Sequence, residues 1–255
     1  MADIQVLAAR VDDAARTATA IAQLSRSTKF PLADAYSIQK QSIARRIARG
    51  ERPVGVKMGF TSRAKMVQMG LSDMIWGRLT DGMLIEDGGA TSFERYIHPR
   101  VEPEVAFLLK SRLVGNVTPM QALAAVEAIA PALELIDSRY ENFKFTLEDV
   151  VADNSSSAGF ATGSWHRPDL DLANLGIVMT ANGRPVAVSS TAALLGNPLR
   201  SLAAAARFAA AADEPLQPGW IVMAGGATAA ETLAPNTWVE CEIQHLGRVG
   251  FTIAG

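Results

Sequence analysis

The segment Arg100-Val101-Glu102-Pro103-Glu104-Val105-Ala106-Phe107-Leu108-Leu109 constrains this chain more than any other. It ends as a buried strand does, in the apolar run Glu104–Leu109. Residues two apart in a strand point to the same face, so Glu102 and Glu104 stand side by side where that run begins. Like charges this close repel unless a cation or a proton lies between them. A fold that contains this strand must solvate the pair at a strand end, bridge it to Arg100, or bring positive charge into its interior. A third acid, Glu134, lies in Pro131-Ala132-Leu133-Glu134-Leu135-Ile136-Asp137 and needs a partner if it is buried. Three carboxylates in apolar segments suggest a hard divalent metal held by oxygen. A buried ion pair, for instance Glu134 with Arg139, is the plainer alternative, and spacing alone leaves both open.

Composition narrows the setting. Hydrophobic residues make up 49% and charged residues 20% of the 255, so a packed globular chain is expected rather than a disordered one. The net charge of -2, with acids and bases interspersed, offers no basic stripe for nucleic acid or a membrane surface. A single cysteine, Cys241, rules out an intrachain disulfide and favours the cytoplasm. The N-terminus lacks the charge-then-apolar pattern of a secretory signal. The longest small-residue run, Ser201 to Ala212, is broken by Arg207 and reads as a packing helix.

Along the chain, residues 2 to about 50 are helical by spacing. Leu7, Val11, Ala14 and Ala18 share a face, as do Tyr36, Ile43 and Ile47, with Pro31 opening the second helix and Gly50 closing it. A strand is expected over Val54–Phe60 and a short helix from Arg63 to Met69, capped by Thr61 or Ser62. Ser72 to Gly89 reads as a loop with short strands at 76–79 and 83–85. Further strands are expected at 104–109, 132–136, 157–162, 176–181, 186–190, 220–223, 237–243 and 249–253, with helices at 119–129 and 198–212. Asn182-Gly183 suits a hairpin turn, and Gly247-Arg248 could form another. The pattern implies an α+β fold: a distorted, mostly-β, barrel-like core over residues 71–255, with a helical region over residues 1–70 packed on it.

Other residues carry weaker signals. Lys57, in Gly55-Val56-Lys57-Met58-Gly59-Phe60-Thr61, sits among apolar residues and glycines, where burial lowers a lysine's pKa and lets it exchange protons. A snorkelling amine is the commoner outcome. Asp153-Asn154-Ser155-Ser156 offers hydrogen bonds to a ligand, or forms an ordinary turn. Gly225-Gly226-Ala227-Thr228 resembles a backbone nest for an anion. His98, His166 and His245 show no zinc spacing, and the G-x-S-x-G of serine hydrolases is absent.

Taken in order, Gly-Val-Lys-Met-Gly-Phe-Thr at 55–61, Glu102-Pro103-Glu104, Glu134-Leu135-Ile136-Asp137, Asp153-Asn154 and Gly225-Gly226-Ala227-Thr228 resemble the fumarylacetoacetate hydrolase superfamily across essentially the whole chain. The runs Lys57–Met66 and Ile75-Trp76-Gly77-Arg78-Leu79-Thr80-Asp81 resemble its hydratase/decarboxylase branch, on the decarboxylase side. The resemblance implies the family's fold and a Mg²⁺ or Mn²⁺ held by Glu102, Glu104 and Glu134, with no organic cofactor. It implies decarboxylation of a small 2-oxo dicarboxylic acid, 2-oxo-3-hexenedioate, with hydration of 2-oxopent-4-enoate as the sister activity. A non-catalytic partner subunit and acylpyruvate hydrolysis are further alternatives. Lys57, Asp153 and Asn154 are the implied catalytic residues, and Thr228 with one of Arg63, Arg78 or Arg139 the implied substrate contacts. An oligomer and a complex with the sister hydratase are implied as well. At Gly226 and Ala227 the chain departs from the family's usual Gly-Ser/Ala-Leu-Thr, which leaves a backbone role there and no side-chain role at 226.

Overall fold

The computed structural model describes residues 3–62, 66–67 and 73–255. Helices α1 (Ile4–Thr17), α2 (Leu24–Ser27) and α3 (Leu32–Ala48) come first. They are followed by strands β1 (Pro53–Gly59), β2 (Ile75–Thr80), β3 (Ala90–Ser92) and β4 (Arg100–Leu109). Then come α4 (Pro119–Ala124), β5 (Val126–Ile136), α5 (Leu147–Ala152), β6 (Ser157–Thr162), β7 (Gly176–Ala181), β8 (Arg184–Ser190) and α6 (Leu199–Ala211). Strands β9 (Ile221–Met223), β10 (Glu231–Thr232), β11 (Thr237–Ile243) and β12 (Gly247–Ala254) complete the chain.

The strands form two sheets. The larger runs β2-β1-β9-β4-β5-β6, with β10 beside the start of β4; the smaller runs β3-β12-β11-β7-β8. Side-chain alternation gives the larger sheet two unlike faces. One carries Val101, Val105, Phe107, Ile129, Leu133 and Leu135 into the main core, against Val239, Cys241, Phe251 and Ile253 of the smaller sheet and Leu202 and Ala205 of α6. The other carries Ala106, Ala132, Phe160, Met223 and Leu79, which meet Met83 and Ile43 of α3. That face also carries the acids. The N-terminal helices have their own core with α5, in which Leu7, Val11, Leu24 and Ile38 pack against Ile75, Tyr140 and Val151. The carboxylate of Asp149 pins α2 to α5 by accepting from the Ser25 amide at 2.9 Å and its hydroxyl at 2.6 Å.

The larger sheet curls until its ends meet. Just past β2, Leu84 bridges Phe160 of β6, and the Ile85 amide donates to the Phe160 carbonyl at 2.8 Å. Side chains cover the free edge of β2. Asn154 accepts from the Arg78 amide at 2.8 Å and donates to its carbonyl at 2.9 Å, while Ser155 Oγ and Gln39 Nε2 donate to the Trp76 carbonyl at 2.8 and 3.1 Å. An edge strand left bare is open to wrong pairing; here three polar side chains stand in for a neighbouring strand.

Several expectations are corrected. The helix read over 119–129 ends at Ala124, and Val126–Ile129 is strand: pairing with the end of β4 overrides the helical preference of an alanine-rich run. The strand expected at 76–79 is found, running from Ile75 to Thr80, whereas the one expected at 83–85 contributes only the Leu84 bridge. The turn expected at Gly247-Arg248 lies earlier, at residues 244–246 around His245 (φ 66°), and Gly247 already pairs with Ile243. β1 falls within the first 70 residues yet pairs into the larger sheet, so the helical region ends with α3. The helix expected from Arg63 to Met69 lies largely outside the described residues. The Asn182-Gly183 turn and β6, β7 and β11 are found where expected.

Candidate metal centre

The register of β4 and β5 assembles the acids. Glu102 lies directly opposite Glu134, and Glu104 lies two residues on, opposite Ala132. All three therefore share one face of the larger sheet. All three are buried, and each offers a carboxylate oxygen within 4.8 Å of the others. Across the curl, Lys57 of β1 reaches the same point. It is in register with Met223, which is in register with Ala106, and so it faces as Glu104 does. Its Nζ lies 2.9 Å from Glu134 Oε2 and donates to the Ser155 carbonyl at 3.2 Å. Gly77, opposite Lys57, leaves room for the lysine stem, since a Cβ there would lie 3.1 Å from Lys57 Cδ and 2.6 Å from the Asn154 carbonyl oxygen.

The glycine pair completes the cradle from the connection between β9 and β10. The Gly225 amide donates to Glu104 Oε2 at 2.7 Å. A Cβ on Gly226 would lie 2.3 Å from Glu102 Oε2, and one on Gly225 (φ +102°) would lie 2.2 Å from Thr61 Oγ1. The expected nest thus holds an acid of the protein itself. Thr228, two residues further on and partly exposed, donates its hydroxyl to the Ala229 carbonyl.

Charge decides what this site can hold. Three buried carboxylates converge here, one of them paired with the Lys57 ammonium, and a divalent cation at this point would favour the ionised form of all three. Burial holds Glu104 well above the usual carboxylate range, and the charge of Glu134 adds to the shift. Burial also raises Glu134, against the pull of Lys57. Glu104 Oε1 and Glu134 Oε1 are buried and accept no hydrogen bond among the described residues. A buried acceptor without a donor costs about 1–3 kcal/mol, more when charged, so the centre is incomplete as a purely protein structure. An all-oxygen donor set suits Mg²⁺ or Mn²⁺ rather than zinc.

The lysine behaves contrary to expectation. Burial alone would lower its pKa, but Glu134, Glu104 and Glu102 outweigh burial and the net direction is upward. In the metal-free arrangement the converging acids favour the charged amine.

The remaining expected site residues are placed elsewhere. Arg139 and Asp153 are buried and bound to each other: Arg139 Nε pairs with Asp153 Oδ1, its amide donates to Oδ2 at 3.0 Å, and its other guanidinium nitrogens donate to the Asp153 and Ser157 carbonyls. Asn154 clips β2. Arg78 points to the opposite face from Lys57, because it pairs with Val56 while Gly77 pairs with Lys57. There it lies over Trp76, 4.9 Å from the ring centroid, and binds Gln39 and both oxygens of Glu214. Arg78 and Arg139 thus serve the framework, because their donors are already taken. Arg63 lies outside the described residues.

Comparison with known proteins agrees with this geometry. The family described as fumarylacetoacetate hydrolase, C-terminal, matches residues 65–254. A 4-oxalocrotonate decarboxylase of a Pseudomonas species is 54% identical over 252 residues, 99% of this chain and 98% of the relative. A 2-hydroxyhexa-2,4-dienoate hydratase of Comamonas testosteroni is 34% identical over 250 residues, 96% of this chain and 95% of the relative. The 4-oxalocrotonate decarboxylase of Pseudomonas putida G7, solved in complex with magnesium and adipate, superposes with a TM-score of 0.95 at 38% identity, covering 98% of this chain and 97% of that one.

Proposed function

The chain belongs to the fumarylacetoacetate hydrolase family, and we propose that it is a divalent-metal-dependent carboxy-lyase. Its substrate on this reading is 2-oxo-3-hexenedioate, converted to CO₂ and 2-oxopent-4-enoate or its enol, 2-hydroxypenta-2,4-dienoate. The observation that carries the metal dependence is the convergence of the buried carboxylates of Glu102, Glu104 and Glu134, each offering an oxygen within 4.8 Å of the others. The choice of decarboxylation over hydration is supported by the gap between 54% identity to a decarboxylase and 34% to a hydratase, each over nearly the whole chain.

Mg²⁺ held by the three glutamates would supply a Lewis acid that polarises the 2-oxo group of a chelating substrate. The protein's own residues do the rest. The Gly225 amide fixes Glu104, and the bare Cα of Gly226 lets Glu102 close up to it. Lys57, held by Glu134 and the Ser155 carbonyl, keeps its proton and presents positive charge beside the place where negative charge gathers on the substrate as CO₂ departs. Asp153 and Asn154 act at one remove. They hold the turn that offers the Ser155 carbonyl to Lys57, Asp153 through Arg139 and Asn154 through β2.

The test is to supply purified protein and Mg²⁺ with each substrate. CO₂ release from the hexenedioate without hydration of 2-oxopent-4-enoate is expected. The reverse result would assign the sister hydratase activity, which needs the same chelate. The reading includes self-association and a complex with the sister hydratase in the cytoplasm. The exposed strip Val178, Val186 and Val188 at the rim of the smaller sheet and the single buried cysteine support those parts. Sedimentation with and without the hydratase tests the assembly. Among the described residues, no helix is long and apolar enough to cross a membrane.

A further inference from the structure

Of the three arginines expected to receive the substrate's second carboxylate, Arg63 lies outside the described residues, and Arg78 and Arg139 already have their donors engaged. A different arginine is better placed. Arg100 begins β4, and alternation along the strand puts it on the same face as Glu102 and Glu104. It lies opposite Ile136, one same-face step beyond the Glu102–Glu134 pair. That step is about 6.7 Å along a strand, within the combined reach of an arginine and an extended six-carbon diacid chelated at the triad. The opposite direction along this face is closed by Ala106, Met223, Leu79 and Met83. Arg100 is partly exposed and has no acidic partner among the described residues.

Its guanidinium is also held ready. Cζ lies 4.0 Å from the centroid of the Phe143 ring. Phe143 (φ 56°) follows Asn142 (φ 59°) in the left-handed region, uncommon for a bulky residue and maintained only where surrounding structure enforces it. His98 packs its edge against the same ring at 6.1 Å. A guanidinium stacked through its face keeps its N–H donors in the plane, where they match a carboxylate in bidentate fashion.

We propose that Arg100, positioned by Phe143, binds the carboxylate of the substrate distant from the metal and so sets the preference for a dicarboxylic over a monocarboxylic 2-oxo acid. This rests on the dicarboxylate reading above. The test compares two inert probes that differ only in that group, 2-oxoadipate and 2-oxohexanoate, binding to the Mg²⁺-loaded protein by calorimetry. Arg100→Met is expected to weaken 2-oxoadipate about 10- to 100-fold, the usual value of a charged hydrogen-bonded pair, and to change 2-oxohexanoate less than about 3-fold. Phe143→Leu, which keeps the cation and removes its support, is expected to show the same selective loss at about 3- to 10-fold. Retained preference for the diacid in Arg100→Met, or equal weakening of both probes, overturns the proposal. Wild-type protein that releases CO₂ alongside an unselective Arg100→Met result sinks this inference alone. Wild-type protein that turns over no hexenedioate sinks the functional reading, whatever the probes show.

Discussion

Two buried clusters of charge flank the turn at residues 153–156, and they are built on opposite principles. Around Arg139 and Asp153, one cation meets one anion, and the guanidinium's donors go to Asp153 and two backbone carbonyls. Around Glu104, three buried acids converge on one another, and Oε1 of Glu104 and Oε1 of Glu134 accept nothing among the described residues. Both clusters are buried, and burial raises the acids in both, Asp153 to about 7 against the pull of Arg139. Burial of an acid therefore does not distinguish a site from a brace. What distinguishes them is that one pairs a single acid with a single cation, while the other brings three acids to one point and leaves two of their oxygens without a donor among the described residues.

Breaking the unbalanced cluster should cost function and spare the fold. Glu104→Gln removes one prospective ligand and the cost of burying that acid beside Glu134. Turnover is expected to fall by about 10³- to 10⁴-fold, as when a metal centre contributes several kcal/mol to the barrier. The metal-free protein should melt no lower than wild type, because the variant relieves repulsion. Steady-state CO₂ release and a thermal melt in chelator measure the two; turnover within tenfold of wild type would show that Glu104 is not needed to hold the metal.

Breaking the balanced cluster should do the opposite. Arg139→Met leaves the Asp153 carboxylate buried without its cation, a defect that typically destabilises by about 3–5 kcal/mol. The midpoint of denaturant unfolding should drop accordingly, while the fraction that remains folded binds Mg²⁺ within a few-fold of wild type. Mg²⁺ affinity lost without a change in midpoint would move Arg139 from the brace into the site.

A subtler change separates backbone from side chain at the metal centre. In Gly226→Ala the new methyl would stand 2.3 Å from Glu102 Oε2 in the present arrangement, so the carboxylate must swing away. Mg²⁺ affinity should fall about 10- to 100-fold, the usual effect of disturbing what supports a ligand, with little change in melting temperature. Unaltered affinity by calorimetry would mean that Glu102 has room to adapt and that the glycine is incidental.

Much of this contrast was legible in the chain. Alternation alone put Glu102 and Glu104 on one face, and the apolar setting of Glu134 marked it as needing a partner. The same alternation runs on to Arg100, so a reading at i, i+2 and i+4 brings out Arg100 with the acids. The partner of Lys57 was beyond reach, because the lysine meets Glu134 only through the curl of a sheet whose strand order is β1-β9-β4-β5. The direction of its pKa is hidden from the sequence for the same reason: local composition shows burial but not three converging acids. Asp153 and Asn154 looked like a polar ligand cluster because turn formers and ligand binders are the same residue types. Which of the two they are depends on the edge of β2, a feature of topology rather than of their neighbours in sequence.

The smallest expected effect is a slope rather than a loss, and it reports the protonation of Glu104 and Glu134. Burial raises Glu104 and Glu134 above their unfolded values, so the metal-free native state keeps protons that the unfolded chain has released. The resulting stabilisation is fully present below the unfolded carboxylate range and is lost as pH rises through the raised folded values. Asp153, raised to about 7, contributes with the same sign, so a falling melting temperature in chelator does not by itself identify the triad. Mg²⁺ separates the two clusters. It binds only the deprotonated glutamates and leaves Asp153 untouched, so the increment in melting temperature from saturating Mg²⁺ should grow as pH rises through the same window. Asp153 cancels in that difference. A constant increment across the window would mean that Glu104 and Glu134 are already ionised in the metal-free protein.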